Sequence, residues 1–114
     1  MKKLKVLIEA LNAKALNAPP GWEECEINRI FVSDLISDIL IADGENILLI
    51  TSLLSDQVLR TANVIGASAV VLVNRRQVPA MLGKAAAKQG IPLFHTPLPK
   101  FESCVRLGRV MESV

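Results

Sequence analysis

The sequence predicts one α/β domain with a mainly parallel sheet flanked by helices. Three observations carry this expectation. Short apolar runs such as Ile47-Leu-Leu-Ile50 and Ala69-Val-Val-Leu-Val73 alternate with stretches of helical periodicity. Uninterrupted apolar runs mark strands covered on both faces, as strands of parallel sheets are. The chain has 114 residues, about the size of one domain, with 51% apolar, 21% charged and 4% aromatic residues. That composition excludes disorder and makes the core aliphatic.

The elements follow in order. Leu4, Leu7, Ile8 and Leu11 recur at helical spacing, so residues 4–11 read as a helix. A short strand is expected over 13–17. Asn17-Ala-Pro-Pro-Gly21 is a turn, because two prolines and a glycine extend neither a helix nor a central strand. The acidic stretch 22–28 reads as a surface loop, with Trp22 half-buried against the domain. Residues 29–32 form a strand. A helix then opens at Ser33 or Asp34, either of which can cap free N–H groups. A buried strand spans 46–51. Asp56 begins a helix with Val58, Leu59, Ala62 and Ile65 inward, closed by Gly66. The next buried strand covers 69–73. Pro79 starts a helix at its first turn, with Met81, Leu82, Ala85 and Ala86 inward and Gly90 at its end. Residues 91–95 hold a strand. The last helix, 100–112, aligns Phe101, Cys104, Val105, Gly108 and Met111. Crossovers between parallel strands should be right-handed. Residues 1–114 form a single domain on this reading.

The net charge of +2 is too small for a general polyanion binder, and so few rings make no base-stacking platform. Residues 1–46 carry a net −3 and residues 47–114 a net +5, the latter mainly from arginines. Nucleic acid is not an expected partner. No run approaches the ~20 apolar residues of a membrane-spanning helix. Cys25 and Cys104 form no CxxC pair and, with one histidine, make a poor metal set. The expectation is a cytoplasmic chain with reduced thiols and neither metal nor cofactor. The sequence also lacks GxxxxGK[ST] and GxGxxG, which disfavours P-loop and dinucleotide chemistry.

In open parallel sheets, ligands bind beyond the carboxyl ends of the strands. That rule selects Ser33 and Asp34 after the first parallel strand, and Thr51, Ser52 and Ser55 after the second. Asn74, Arg75 and Arg76 follow the third, and His95 and Thr96 the fourth. The candidate ligand set is Ser33, Asp34, Thr51, Ser52, Asn74, Arg75, His95 and Thr96. Arginine forks suit carboxylate or phosphate. His95 could serve as an acid or a base, or donate a hydrogen bond to a phosphate. The competing reading of each Ser and Asp is a helix cap.

Ile30-Phe-Val-Ser-Asp-Leu-Ile-Ser-Asp-Ile-Leu40 resembles the "VSDLLSDVL" signature of DRTGG-domain proteins. Asn46-Ile-Leu-Leu-Ile-Thr51, Ala67-Ser-Ala-Val-Val-Leu-Val-Asn74 and Gln89-Gly-Ile-Pro-Leu-Phe-His-Thr96 are similar to later segments of that family, in the same order. Together they cover about residues 25–110. The name-giving Asp-Arg-Thr-Gly-Gly is replaced by Glu26-Ile-Asn-Arg-Ile-Phe-Val32, without either glycine. The resemblance implies an α/β fold like the N-terminal domain of HPr kinase/phosphatase. It also implies a regulatory, ligand-sensing or interaction role, accessory to redox or hydrogenase-linked metabolism. Ser33, Asp34, Ser37, Asp38, Thr51 and Thr96 are the matching site positions.

The leading functional reading is therefore a non-catalytic regulatory module. Its expected partners are a second copy of itself (a dimer), a protein partner, or a small anionic or phosphate-bearing ligand. One alternative is a structural or assembly subunit acting through a dimer interface, with the last helix as the expected contact. The other is a small hydrolase using His95 with Ser52 or Ser55 and Asp34.

Overall fold

A five-stranded sheet organises the chain, and the computed structural model describes residues 1–112 of it. The sheet strands are β2 (Lys14–Asn17), β4 (Arg29–Val32), β5 (Ile47–Thr51), β6 (Ala69–Leu72) and β7 (Leu93–His95). Their order across the sheet is β2-β7-β6-β5-β4. The four strands from β4 to β7 are parallel; β2 adds antiparallel at the far edge, with Lys14 opposite His95. The mainly parallel expectation thus holds, with one antiparallel edge.

The apolar runs read as they do because helices cover both faces. Leu48, Ile50, Val71 and Phe94 face α1 (Leu4–Ala10) and α5 (Lys100–Glu112), where Leu7, Leu11 and Leu107 complete the layer. Leu49, Val70, Leu72 and Leu93 face the other way. They meet Ile39 of α2 (Ile36–Leu40), Val58 and Leu59 of α3 (Asp56–Val64), and Leu82 and Ala86 of α4 (Ala80–Gln89). Alternate residues of each strand therefore feed two separate apolar layers. Gly90 ends α4 in the left-handed conformation, φ 71°, where a Cβ would be strained.

Several local expectations are corrected. Residues 22–28 are not a plain loop. Trp22–Glu24 is a 3-10 turn, and β3 (Glu26–Ile27) pairs antiparallel with β1 (Lys2–Lys3). The Leu4 N–H donates to the Cys25 carbonyl at 2.7 Å, and Ile27 is buried. Trp22 is half-buried as expected, its ring 4.8 Å from that of Phe94, a contact worth about 0.5–1.5 kcal/mol. Helix α2 begins at Ile36, not at Ser33 or Asp34, and Leu35 at its entrance makes no side-chain cap bond. Pro79 stands one place outside α4, as its N-cap. Met81 is 67% exposed rather than inward. The stripe expected on α5 is rotated: Ser103 and Leu107 are buried, whereas Phe101 is 80% exposed. Ser55 does cap α3, accepting from the Gln57 N–H at 3.1 Å, which stabilises by about 1 kcal/mol. No helix among the described residues is long and apolar enough to cross a membrane.

Candidate functional site

The parallel strands deliver their polar followers to one edge, as the strand-end rule requires. The loop leaving β4 carries Ser33 and Asp34. Ser33 accepts from the Leu35 N–H at 3.0 Å and so shapes that loop. Asp34 reaches across to the end of β5. Its Oδ1 accepts from the Thr51 hydroxyl at 2.9 Å and the Ser52 N–H at 2.7 Å. Its Oδ2 accepts from the Ser52 hydroxyl at 2.6 Å and from the Lys100 ammonium at the start of α5. The helix-cap reading of Asp34 is thereby replaced by a clasp joining β4, β5 and α5.

Burial pushes the Asp34 carboxyl up. The Lys100, Ser52 and Thr51 bonds outweigh that and hold it well below the usual carboxylate range. Lys100 was not among the expected site residues. It is 66 positions from Asp34, and nothing in its local sequence signals the pairing. Its charge also opposes the rise that burial imposes on the Cys104 thiol.

The third and fourth strand ends interlock in the same way. Arg75 lays its Nε and Nη2 on the Ser52 carbonyl at 3.2 and 2.8 Å. Its backbone N–H donates to the Thr96 carbonyl at 2.9 Å. Asn74 holds a left-handed turn, φ 58°, with its N–H on the Leu98 carbonyl. Thr96 is fully buried, and its hydroxyl donates to the Leu11 carbonyl at 2.7 Å. His95 Nδ1 lies 2.9 Å from the Arg75 carbonyl. A carbonyl only accepts, so Nδ1 carries the proton and Nε2 is left free.

The eight expected residues therefore do converge on one edge, in two groups. Thr51 and Ser52 bond the Asp34 carboxylate, Arg75 joins them through the Ser52 carbonyl, and Ser33 shapes the loop that carries Asp34. Asn74, His95 and Thr96 belong to the loops after β6 and β7. This geometry does not assemble a triad. The Ser52 hydroxyl donates to Asp34, and His95 is held by a backbone carbonyl, not by a serine or carboxylate. Among the described residues, no group of three His, Cys, Asp or Glu side chains is placed to hold a metal. Both cysteines are free thiols.

No protein-family profile matches the chain, and no curated protein matches it in sequence. Among solved structures, it is similar to the CBS and DRTGG domains of the regulatory region of Clostridium perfringens pyrophosphatase, complexed there with the activator diadenosine tetraphosphate. The likeness covers 92% of this chain and 45% of that one, with a TM-score of 0.75 at 14% identity. The chain thus spans less than half of that structure, and what the two share is a fold.

Proposed function

We infer that the chain is a regulatory, ligand-sensing domain that binds a small phosphate-bearing anion and performs no chemistry of its own. The observation that carries this reading is the fold likeness to a regulatory region over 92% of the chain. The edge chemistry supports it. Asp34, Ser33, Thr51, Ser52, Arg75 and Thr96 are occupied in holding loops, while His95 keeps its second ring nitrogen free for an oxyanion. A cytoplasmic location is consistent with the two free thiols. An accessory role in redox or hydrogenase-linked metabolism rests on the DRTGG resemblance alone. The test is thermal unfolding in the presence of nucleotides and small phosphate esters. A ligand at a hundred times its Kd stabilises by about 2.7 kcal/mol, on the order of 10 °C for a domain this size.

One observation favours a second reading, an assembly role through a dimer. Among the described residues, strand β4 pairs with β5 alone, which leaves its outer edge open. Beside it runs an apolar groove of about 380 Å³, lined by Ile30, Val32, Cys104, Leu107 and Met111 among others. A second copy fits this edge. On this reading two β4 strands related by a two-fold axis would pair antiparallel beside the two grooves. Val32→Lys places a charge on that edge and should convert a dimer to a monomer in sedimentation. An unchanged mass would exclude this interface.

A further inference from the structure

A separate pocket of about 190 Å³ lies at the opposite corner of the same edge, lined by Asn12, Lys14, Arg76, His95 and Pro97. We propose that it is a phosphate-class oxyanion site, with Lys14, Arg76 and His95 as its donors. The proposal rests on the anion-sensing reading above and gives it a location. Of its three donors, Arg76 and His95 follow strand ends read from the sequence, and Lys14 does not.

The charge balance is the first argument. Lys14 and His95 are register partners on the antiparallel pair β2–β7, so their side chains stand on the same face. Arg76 joins them from the loop after β6. The Lys14 ammonium and the Arg76 guanidinium give this pocket a net positive charge, which favours an anion. Four other basic side chains sit in ion pairs with carboxylates. Lys3 pairs with Glu24, Arg60 with Asp56, Lys100 with Asp34 and Arg106 with Glu102. Among the described residues, Lys14 and Arg76 enter no such ion pair, and no carboxylate lines their pocket.

Donor geometry is the second argument. The Arg75 carbonyl fixes the His95 tautomer and ring orientation, leaving Nε2 as the free ring nitrogen. Protonated, Nε2 donates to a phosphoryl oxygen beside the Lys14 ammonium and the Arg76 fork, which binds oxyanions in bidentate fashion. The Asn12 side-chain amide is a further donor at the rim. Size is the third argument. A volume of about 190 Å³ is below the roughly 300 Å³ at which sites for drug-sized molecules begin. The pocket therefore suits one phosphoryl group, either free phosphate or the terminal group of a nucleotide whose remainder stays outside.

The test is titration of the ¹⁵N-labelled chain with inorganic phosphate and, separately, with ATP, reading amide shifts. Three proteins are compared: wild type, Lys14→Gln/Arg76→Gln, and Lys84→Gln as a charge control on α4. The first two positions are exposed, and unchanged unfolding temperatures verify the fold. The expected result is shifts around residues 12–14, 76 and 95. Affinity should fall at least tenfold in the double variant and hold in the control. Tighter binding of ATP than of phosphate identifies a nucleotide source, and equal binding identifies free phosphate; both support the site. Binding that survives the double variant overturns the pocket while leaving the sensing reading intact. An absence of binding to wild type, by these probes or by the wider ligand panel, overturns both.

Discussion

Asp34 shows how a residue that looks like a ligand contact can be a structural one. Its carboxylate accepts from two hydroxyls, one backbone N–H and one ammonium, so neither oxygen is spare for an incoming group. Its folded pKa is depressed, so the unfolded chain binds the proton more tightly. The clasp therefore stabilises fully above the unfolded value, near pH 4, and that contribution is lost as pH falls below it. Asp34→Asn should cost about 1–2 kcal/mol at pH 6, the value of charge-assisted bonds reduced for a group one-third exposed. The deficit should shrink when urea denaturation is repeated at pH 3. A deficit equal at both pH values would show that the carboxylate charge contributes nothing. Thr96 tells the same story: its matching position in the family resemblance is a buried hydroxyl tying β7 to the end of α1.

At the scale of the element, the helices differ in how tightly the sheet holds them. Helix α4 packs on β2 so closely that a Cβ at Gly83 would stand 3.0 Å from the Leu16 carbonyl oxygen, a backbone atom that cannot move aside cheaply. On α5, a Cβ at Gly108 would meet nothing within 4 Å. Gly83→Leu should therefore destabilise by about 1–3 kcal/mol. Gly108→Ala should stabilise by about 0.4–1 kcal/mol through the unfolded chain's lost entropy. Chemical denaturation of both variants checks the pair, and equal effects would contradict this packing. The rotation of α5 has a physical reason. Phe101, Cys104 and Gly108 form a helical apolar stripe, but the helix turns Ser103 and Leu107 onto the sheet. Part of the stripe, Cys104 and Gly108, faces the groove beside β4 instead. Periodicity locates a helix's apolar side without stating what covers it.

For the whole molecule, the sequence was most legible where burial is most uniform. Strands β5 and β6 are covered on both faces, so their apolar runs stand out, and the order of strands and helices follows from them. The strand over 13–17 was legible as β2, but its antiparallel pairing and the β1–β3 pair were not. These strands are two to four residues long, and their place depends on a partner far along the chain. The site was legible to the same degree. The strand-end rule named eight residues that the structure brings to one edge. It could not separate the Asp34 clasp from the loops after β6 and β7, nor find Lys100, because those contacts span tens of residues. The same limit hid Lys14 and Asn12, which reach the edge only through the β2–β7 pairing.

The account as a whole predicts recognition without reaction, and one measurement tests that most directly. The chain is unfolded thermally with saturating nucleotides and phosphate esters, and each ligand is recovered and analysed afterwards. A rise on the order of 10 °C with one ligand, recovered unchanged, is the predicted result. No rise with any of them, or a ligand returned hydrolysed by wild type but intact from His95→Ala, would contradict it.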